Sequence, residues 1–259
     1  MPRSRLAGGL AGLLVAAGGL AAADSAYGVA GGTPAADGEF AFVAHVKVGN
    51  LVRSCTGALI DPEWVITATA CFSENGQPVP AGPPTPATTV TVGRTDAAAT
   101  TGGQVRTVTQ LVPHATRNVV LAKLATPVID VTPATIGTTA PAPGESLRVA
   151  GFGRTATTWA PGRLTTALLG VQAVADTTID LSGPAGSGVI CKGDAGGPTF
   201  RPRADGGGEL VALHTSSTQS GCIGVPASDT PALAVDTRLD NIADWIGQTV
   251  RGGAFVRLP

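Results

Sequence analysis

The chain has 259 residues, with 17 Lys and Arg against 18 Asp and Glu and a formal net charge of −1. That length buries a sizeable core and suits one unit of two packed halves or two small domains. The balanced charge, without a basic run or stripe, argues against nucleic acid as a partner.

Residues 1–5 are short and positively charged, 6–20 are apolar but rich in Ala and Gly, and Ala21-Ala22-Ala23 offers a small-residue cleavage site. The pattern predicts a secretory signal peptide over 1–26 and a mature chain beginning between Asp24 and Val29. Read instead as a membrane anchor, the run is short and weakly apolar for a span. No later segment is apolar enough to cross, so the mature chain is expected off the membrane and secreted, in an extracellular setting where disulfides persist. Cys55, Cys71, Cys191 and Cys222 allow three pairings. Cys55 and Cys71 flank one segment and Cys191 and Cys222 another, which favours pairing neighbours; the shorter loop alone is worth about 3 kcal/mol. None lies in a C-x-x-C pair, so no metal or other cofactor is expected.

From Phe40 onward, apolar and polar residues alternate in short runs broken by Gly, Pro, Asn and Asp. Phe42-Val43-Ala44-His45-Val46 and Val90-Thr91-Val92 are examples, and this is strand periodicity with turn punctuation. Residues 77–89, dense in Pro, Ala and Thr, predict an extended surface loop. Asp205-Gly206-Gly207-Gly208, between Phe200 and Leu210, predicts a hairpin turn. Only the end of the chain reads as a helix, with Leu239, Ile242, Trp245, Ile246 and Val250 on one face. Many short strands and one terminal helix indicate an all-β barrel or sandwich.

The chemistry-bearing stretch is Cys191-Lys192-Gly193-Asp194-Ala195-Gly196-Gly197-Pro198. Its glycines allow a tight turn that aims consecutive N–H groups at one point, an arrangement able to hold an oxyanion. It resembles the nucleophile loop of the trypsin/chymotrypsin serine proteases, Cys-x-Gly-Asp-Ser-Gly-Gly-Pro, at every fixed position except the nucleophile, where Ala195 stands. Cys55-Thr56-Gly57-Ala58-Leu59-Ile60 followed by Trp64-Val65-Ile66-Thr67-Ala68-Thr69-Ala70-Cys71 resembles that family's C-G-G-x-L-I and W-V-x-T-A-A-H-C, with Ala70 at the base position. Asn118-Val119-Val120-Leu121-Ala122-Lys123-Leu124, then Ala125-Thr126-Pro127-Val128, resembles D-I-A-L-L-K-L-x-x-P-V, with Asn118 at the aspartate position. Val149-Ala150-Gly151-Phe152-Gly153 resembles x-x-G-W-G, and residues 240–250 resemble the C-terminal helix.

The resemblance covers essentially the whole chain after the leader. It implies an all-β fold of two packed six-stranded antiparallel β-barrels with a C-terminal α-helix over 27–259, in halves of roughly 27–137 and 138–259. It also implies the pairings Cys55 with Cys71 and Cys191 with Cys222. Val29-Ala30-Gly31-Gly32-Thr33 resembles the Ile-Val-Gly-Gly N-terminus of an activated member, whose freed α-amino group pairs with the aspartate before the nucleophile, here Asp194. Gly28 replaces the basic residue that such a cut requires, and a flexible Gly-rich leader is the competing reading. The pocket floor corresponds to Val189, followed by Ile190. The pocket wall, counted back from Cys222, corresponds to Ser217-Thr218-Gln219.

Alanine's methyl group cannot lose a proton or attack a carbonyl. A neutral amide at Asn118 cannot stabilise an imidazolium, and Ala70 offers none to stabilise. Gly193 and Ala195 keep their backbone N–H groups, either as a site for a carboxylate or peptide carbonyl or as a structural turn. His45 and His214 are expected to be packed and hydrogen-bonded, His114 to be exposed in a loop, and Thr69 to point away from the base position. The expectation is a monomeric pseudoprotease serving as a binding or decoy module for an unknown protein, peptide or small anionic ligand. The competing readings are a hydrolase using unrecognised groups and a catalytically dead variant of an active secreted endopeptidase.

Overall fold

The computed structural model describes Met1 and residues 29–49, 53–160, 162–184, 188–228 and 231–254. Apart from Met1, the expected signal peptide lies outside the described residues. The strands run β1 Thr33–Pro34, β2 Val43–Val48, β3 Arg53–Asp61, β4 Trp64–Thr67, β5 Thr88–Val92, β6 Gln104–Pro113 and β7 Val120–Leu124. They continue as β8 Thr135–Ile136, β9 Ser146–Gly151, β10 Thr165–Val174, β11 Thr178–Ser182, β12 Pro198–Pro202, β13 Gly208–Ser217 and β14 Leu233–Arg238, before helix α1, Ala243–Ala254.

Strands β2 to β7 close a first antiparallel barrel in the order β2-β3-β4-β7-β6-β5. Closure leaves no sheet edge and encloses side chains that alternate inward along each strand. Strand β6 shows how sequence and register meet. Its inward residues Val108 and Leu111 are three apart, an odd spacing that a regular strand cannot place on one face, and a register shift between Val108 and Gln110 supplies the extra residue. The second barrel uses β9 to β14, closed where β9 pairs with both β10 and β12. The double-barrel architecture and its terminal helix are those the resemblance implied.

Two short segments cross the expected division near residue 137. Strand β1 pairs with β10, and β8 pairs in parallel with β13, so both extend the second sheet. The core is likewise shared: Phe200 of β12 packs edge-on against Phe40 and Phe42, with ring centroids 5.0 and 5.2 Å away. Such T-shaped contacts favour fixed geometry over sliding. Leu239, Ile242 and Ile246 bury the apolar face of the C-terminal segment in that same core, the first turn being 3-10 over Asp240–Ile242. The two barrels therefore share one packed core.

The disulfides are Cys55–Cys71 and Cys191–Cys222. The predicted hairpin joins β12 to β13, where the Asp205 carboxylate accepts the Gly207 N–H at 3.0 Å. The predicted surface loop ends slightly early, because Thr88 already begins β5 and is fully buried. No described helix is long and apolar enough to cross a membrane.

Candidate functional site

Between the barrels lies a cleft of about 820 Å³. One side comes from β2, β3 and the 3-10 turn Thr69–Cys71, and the other from the segment after β9 and the turn carrying Gly193 and Ala195. Ala70 and Ala195 both line it. Asn118, just ahead of β7, is tied to the same place: its side-chain oxygen accepts the Ala70 N–H at 3.0 Å and the Thr69 hydroxyl at 2.7 Å. Its amide nitrogen donates to the Thr215 hydroxyl at 3.3 Å. The structure thus brings Ala70 and Ala195 to one cleft and ties Asn118 to Ala70. Thr69 does not line the cleft, because the 3-10 turn aims its hydroxyl at Asn118.

The turn from Cys191 is held from below by Asp194, which is fully buried. Its carboxylate accepts the Gly153 N–H at 2.8 Å, the Cys191 N–H at 2.9 Å and the backbone N–H of Val29. Burial pushes its pKa up to about 6, against those three donors and the nearby His214, which favour the charged form. Gly151 and Gly153 make room for it: a Cβ on Gly151 would stand 1.9 Å from an Asp194 oxygen, and one on Gly153 within 2.5 Å of the carboxyl carbon. Gly193 adopts φ +101°, a conformation open to glycine, and its carbonyl accepts the Thr56 hydroxyl at 3.0 Å. Thr56 N–H in turn donates to the Ala195 carbonyl at 3.1 Å, pinning the turn to β3.

The expected pocket residues lie elsewhere than this cleft, whose lining includes none of the five. Val189 and Ile190 are buried, and Val189 exchanges two backbone hydrogen bonds with Ala30, at 2.8 and 3.0 Å. The Ser217 hydroxyl donates to the Ile190 carbonyl and accepts the Gln219 N–H at 3.1 Å. Thr218 N–H donates to the Leu233 carbonyl at 2.9 Å.

Of the histidines, His214 is fully buried with its Nδ1 2.8 Å from Asp236, whose same oxygen accepts the Thr199 hydroxyl. Burial opposes its charged form, but the Asp236 and Asp194 carboxylates outweigh burial and raise its pKa. His114 is half-buried rather than exposed, because its ring packs edge-on against Trp245 of α1 at 4.7 Å. His45 is 8% exposed and lines the cleft. Its Nε2 is 2.6 Å from the Ser54 hydroxyl, its Nδ1 is buried without a partner, and burial with Lys47 nearby lowers its pKa to about 4.

Sequence reasoning missed the His45–Ser54 contact and the cations around the cleft. On the β2–β3 ladder Lys47 stands opposite Ser54 and His45 opposite Thr56. His45 and Ser54 are therefore diagonal neighbours, a relation that appears only once the register is known.

The sequence profile of the trypsin family matches residues 29–246. The chain belongs to the trypsin family. It is also 26% identical, over 211 residues, to an uncharacterized peptidase of Corynebacterium glutamicum (strain R). That alignment takes in 79% of this chain and 66% of the relative, so the chain spans just under two thirds of the relative's length.

The buried titratable groups of this trypsin-family chain oppose one another. Asp194 has a folded pKa of about 6, above its unfolded value, so between about pH 4 and 6 the folded state binds the extra proton and stability falls as pH rises. The raised His214 has the same sign: its contribution is present below about pH 6.5 and lost as pH rises through the folded pKa. His45, lowered to about 4, withholds a proton that the unfolded chain binds, so its contribution grows from about pH 4 to 6.5. His45→Gln removes only that opposing slope. Its urea-unfolding stability, relative to the parent, is expected to drop by about 2 kcal/mol between pH 4 and 6. Parallel profiles for the two proteins would contradict the assignment.

Proposed function

We propose that this trypsin-family chain is a secreted, non-catalytic binding module, a pseudoprotease whose cleft keeps the shape of a peptide site and lacks its chemistry. The observation that carries the reading is that Ala70 and Ala195 line one cleft and Asn118 is hydrogen-bonded to the Ala70 N–H, at the positions where the family resemblance puts base, nucleophile and acid. No proton acceptor stands at Ala70 and no nucleophile at Ala195, and loss of either group costs a related triad enzyme about 10⁶ in rate. The Gly193 and Ala195 N–H groups keep an oxyanion-type turn, with Asp194 and Val29 beneath it. A cut before Val29 would convert that backbone contact into an ion pair. Secretion rests on the apolar leader and on two disulfides that suit an oxidising compartment.

One observation favours a second reading, hydrolysis through Ser54 with His45 as base, since the two are in hydrogen-bond reach within the cleft. Against it, a pKa near 4 makes His45 a weak base, and its partnerless Nδ1 leaves an imidazolium without a carboxylate. The test is a library of peptides and activated esters offered to the purified protein. Hydrolysis is expected to stay at the uncatalysed rate. Turnover that disappears in Ser54→Ala or in His45→Ala would replace this reading with the second.

A further inference from the structure

Four cations line the cleft: Lys47 and Arg53 from the first barrel, Arg154 and Lys192 from the second. Among the described residues no Asp or Glu lines it. In a chain whose net charge is −1, this concentrates positive charge in one place. None of the four takes part in the ion pairs found among the described residues. Arg53 instead donates to the Ser73 carbonyl, and Arg154 lies 4.2 Å above the ring of Trp159. Trp159, 60% exposed, also lines the cleft, so an apolar surface adjoins the charge. Arg154 N–H donates to the Lys192 carbonyl at 2.9 Å, which holds these two cation-bearing segments side by side next to Gly193.

We infer that the cleft selects an acidic polypeptide segment. One carbonyl or carboxylate oxygen sits at the Gly193 and Ala195 N–H groups, with flanking Asp or Glu side chains between the Lys47/Arg53 wall and the Arg154/Lys192 wall. Cations gathered around one cleft without an ion-pair partner repel, and an anionic occupant relieves that repulsion while gaining charge-assisted hydrogen bonds. The volume lies toward the upper end of ligand-sized cavities, about 300–1,000 Å³, and suits a short peptide better than a single small anion. Four cations in a near-neutral chain are too few to gather a nucleic-acid backbone. The inference rests on the binding-module reading and adds the chemistry of what is bound.

The test is fluorescence anisotropy with a labelled octapeptide of Glu and Asp around a central Leu-Ala, beside the analogue in which every carboxylate is an amide. Mass spectrometry of the recovered peptide runs in parallel. The acidic peptide is expected to bind at least about tenfold more tightly than its amide analogue and to weaken as salt rises. Lys47→Glu and Lys192→Glu are each expected to weaken it about tenfold, and together about a hundredfold. Neither lysine has an ion-pair partner among the described residues to lose, and near-UV circular dichroism verifies that the variants stay folded. Arg203→Gln, at the distant β12–β13 hairpin, is expected to leave binding unchanged. Equal affinity for the two peptides, or insensitivity to both lysine reversals, would overturn the inference. Competition by inorganic phosphate at its own simple anion affinity, with no preference for the octapeptide, would overturn it too. A peptide that shows the selectivity but is recovered cleaved would refute the non-catalytic reading and leave the acidic preference standing.

Discussion

The triple variant Ala70→His/Asn118→Asp/Ala195→Ser is expected to hydrolyse an activated ester at least about a thousandfold faster than the parent, while each single replacement stays at background. The reason is geometric. Position 118 is already tied to position 70, since its side-chain oxygen holds the Ala70 N–H and the Thr69 hydroxyl. A carboxylate there keeps both bonds, and on its other oxygen it accepts from the Thr215 hydroxyl, a rotor able to donate. An imidazole at 70 then starts beside the group that would orient it, and a hydroxyl at 195 faces the same cleft. Nucleophile, base and orienting acid act as a unit, so one restored group has no partner to work with. Initial rates on a nitrophenyl ester decide it. Full activity from Ala195→Ser alone would mean that a working base already stands in the cleft.

Gly151→Ala and Asp194→Ala are each expected to destabilise the fold by about 3–5 kcal/mol, a large part of the total for a domain of this size. In the first, the new methyl would stand 1.9 Å from a carboxylate oxygen that cannot retreat, because backbone N–H groups hold it on several sides. In the second, three buried donors lose their acceptor together, and the turn that aims Gly193 and Ala195 loses its support. Gly252→Ala is the contrast. Its Cβ would meet nothing within 4 Å, and in helix α1 it should stabilise by up to about 1 kcal/mol. Urea midpoints at constant slope read all three. Wild-type-like midpoints for Gly151→Ala would mean that the Asp194 cradle has slack.

The parts of the fold legible in the sequence were those with local signatures. The Asp205–Gly208 turn, the 3.6-residue stripe from Leu239 to Val250 and the cysteine-flanked segments each carry their meaning within a few residues. The glycines around Asp194 were visible as a motif, but the reason for Gly151 and Gly153 was not, since the carboxylate that occupies their missing side chains arrives from about forty residues away. Strands β1 and β8 are two residues each, too short for any periodicity, and their pairing with the second sheet comes from packing. The cation cluster was hidden in the same way. Lys47, Arg53, Arg154 and Lys192 form no run in sequence and meet only because the two barrels face each other. His114 was misplaced for the same kind of reason, as its partner Trp245 belongs to the C-terminal helix.

The central claim, that the cleft holds shape and charge without covalent chemistry, meets its most direct test in rapid mixing of the unmodified protein with a large excess of nitrophenyl ester. A covalent hydrolase releases nitrophenol in a burst equal to its active-site concentration before the steady state. The account predicts no burst and a slope equal to that of buffer. A stoichiometric burst abolished by Ser54→Ala would contradict it and make the His45–Ser54 pair the working centre of an enzyme.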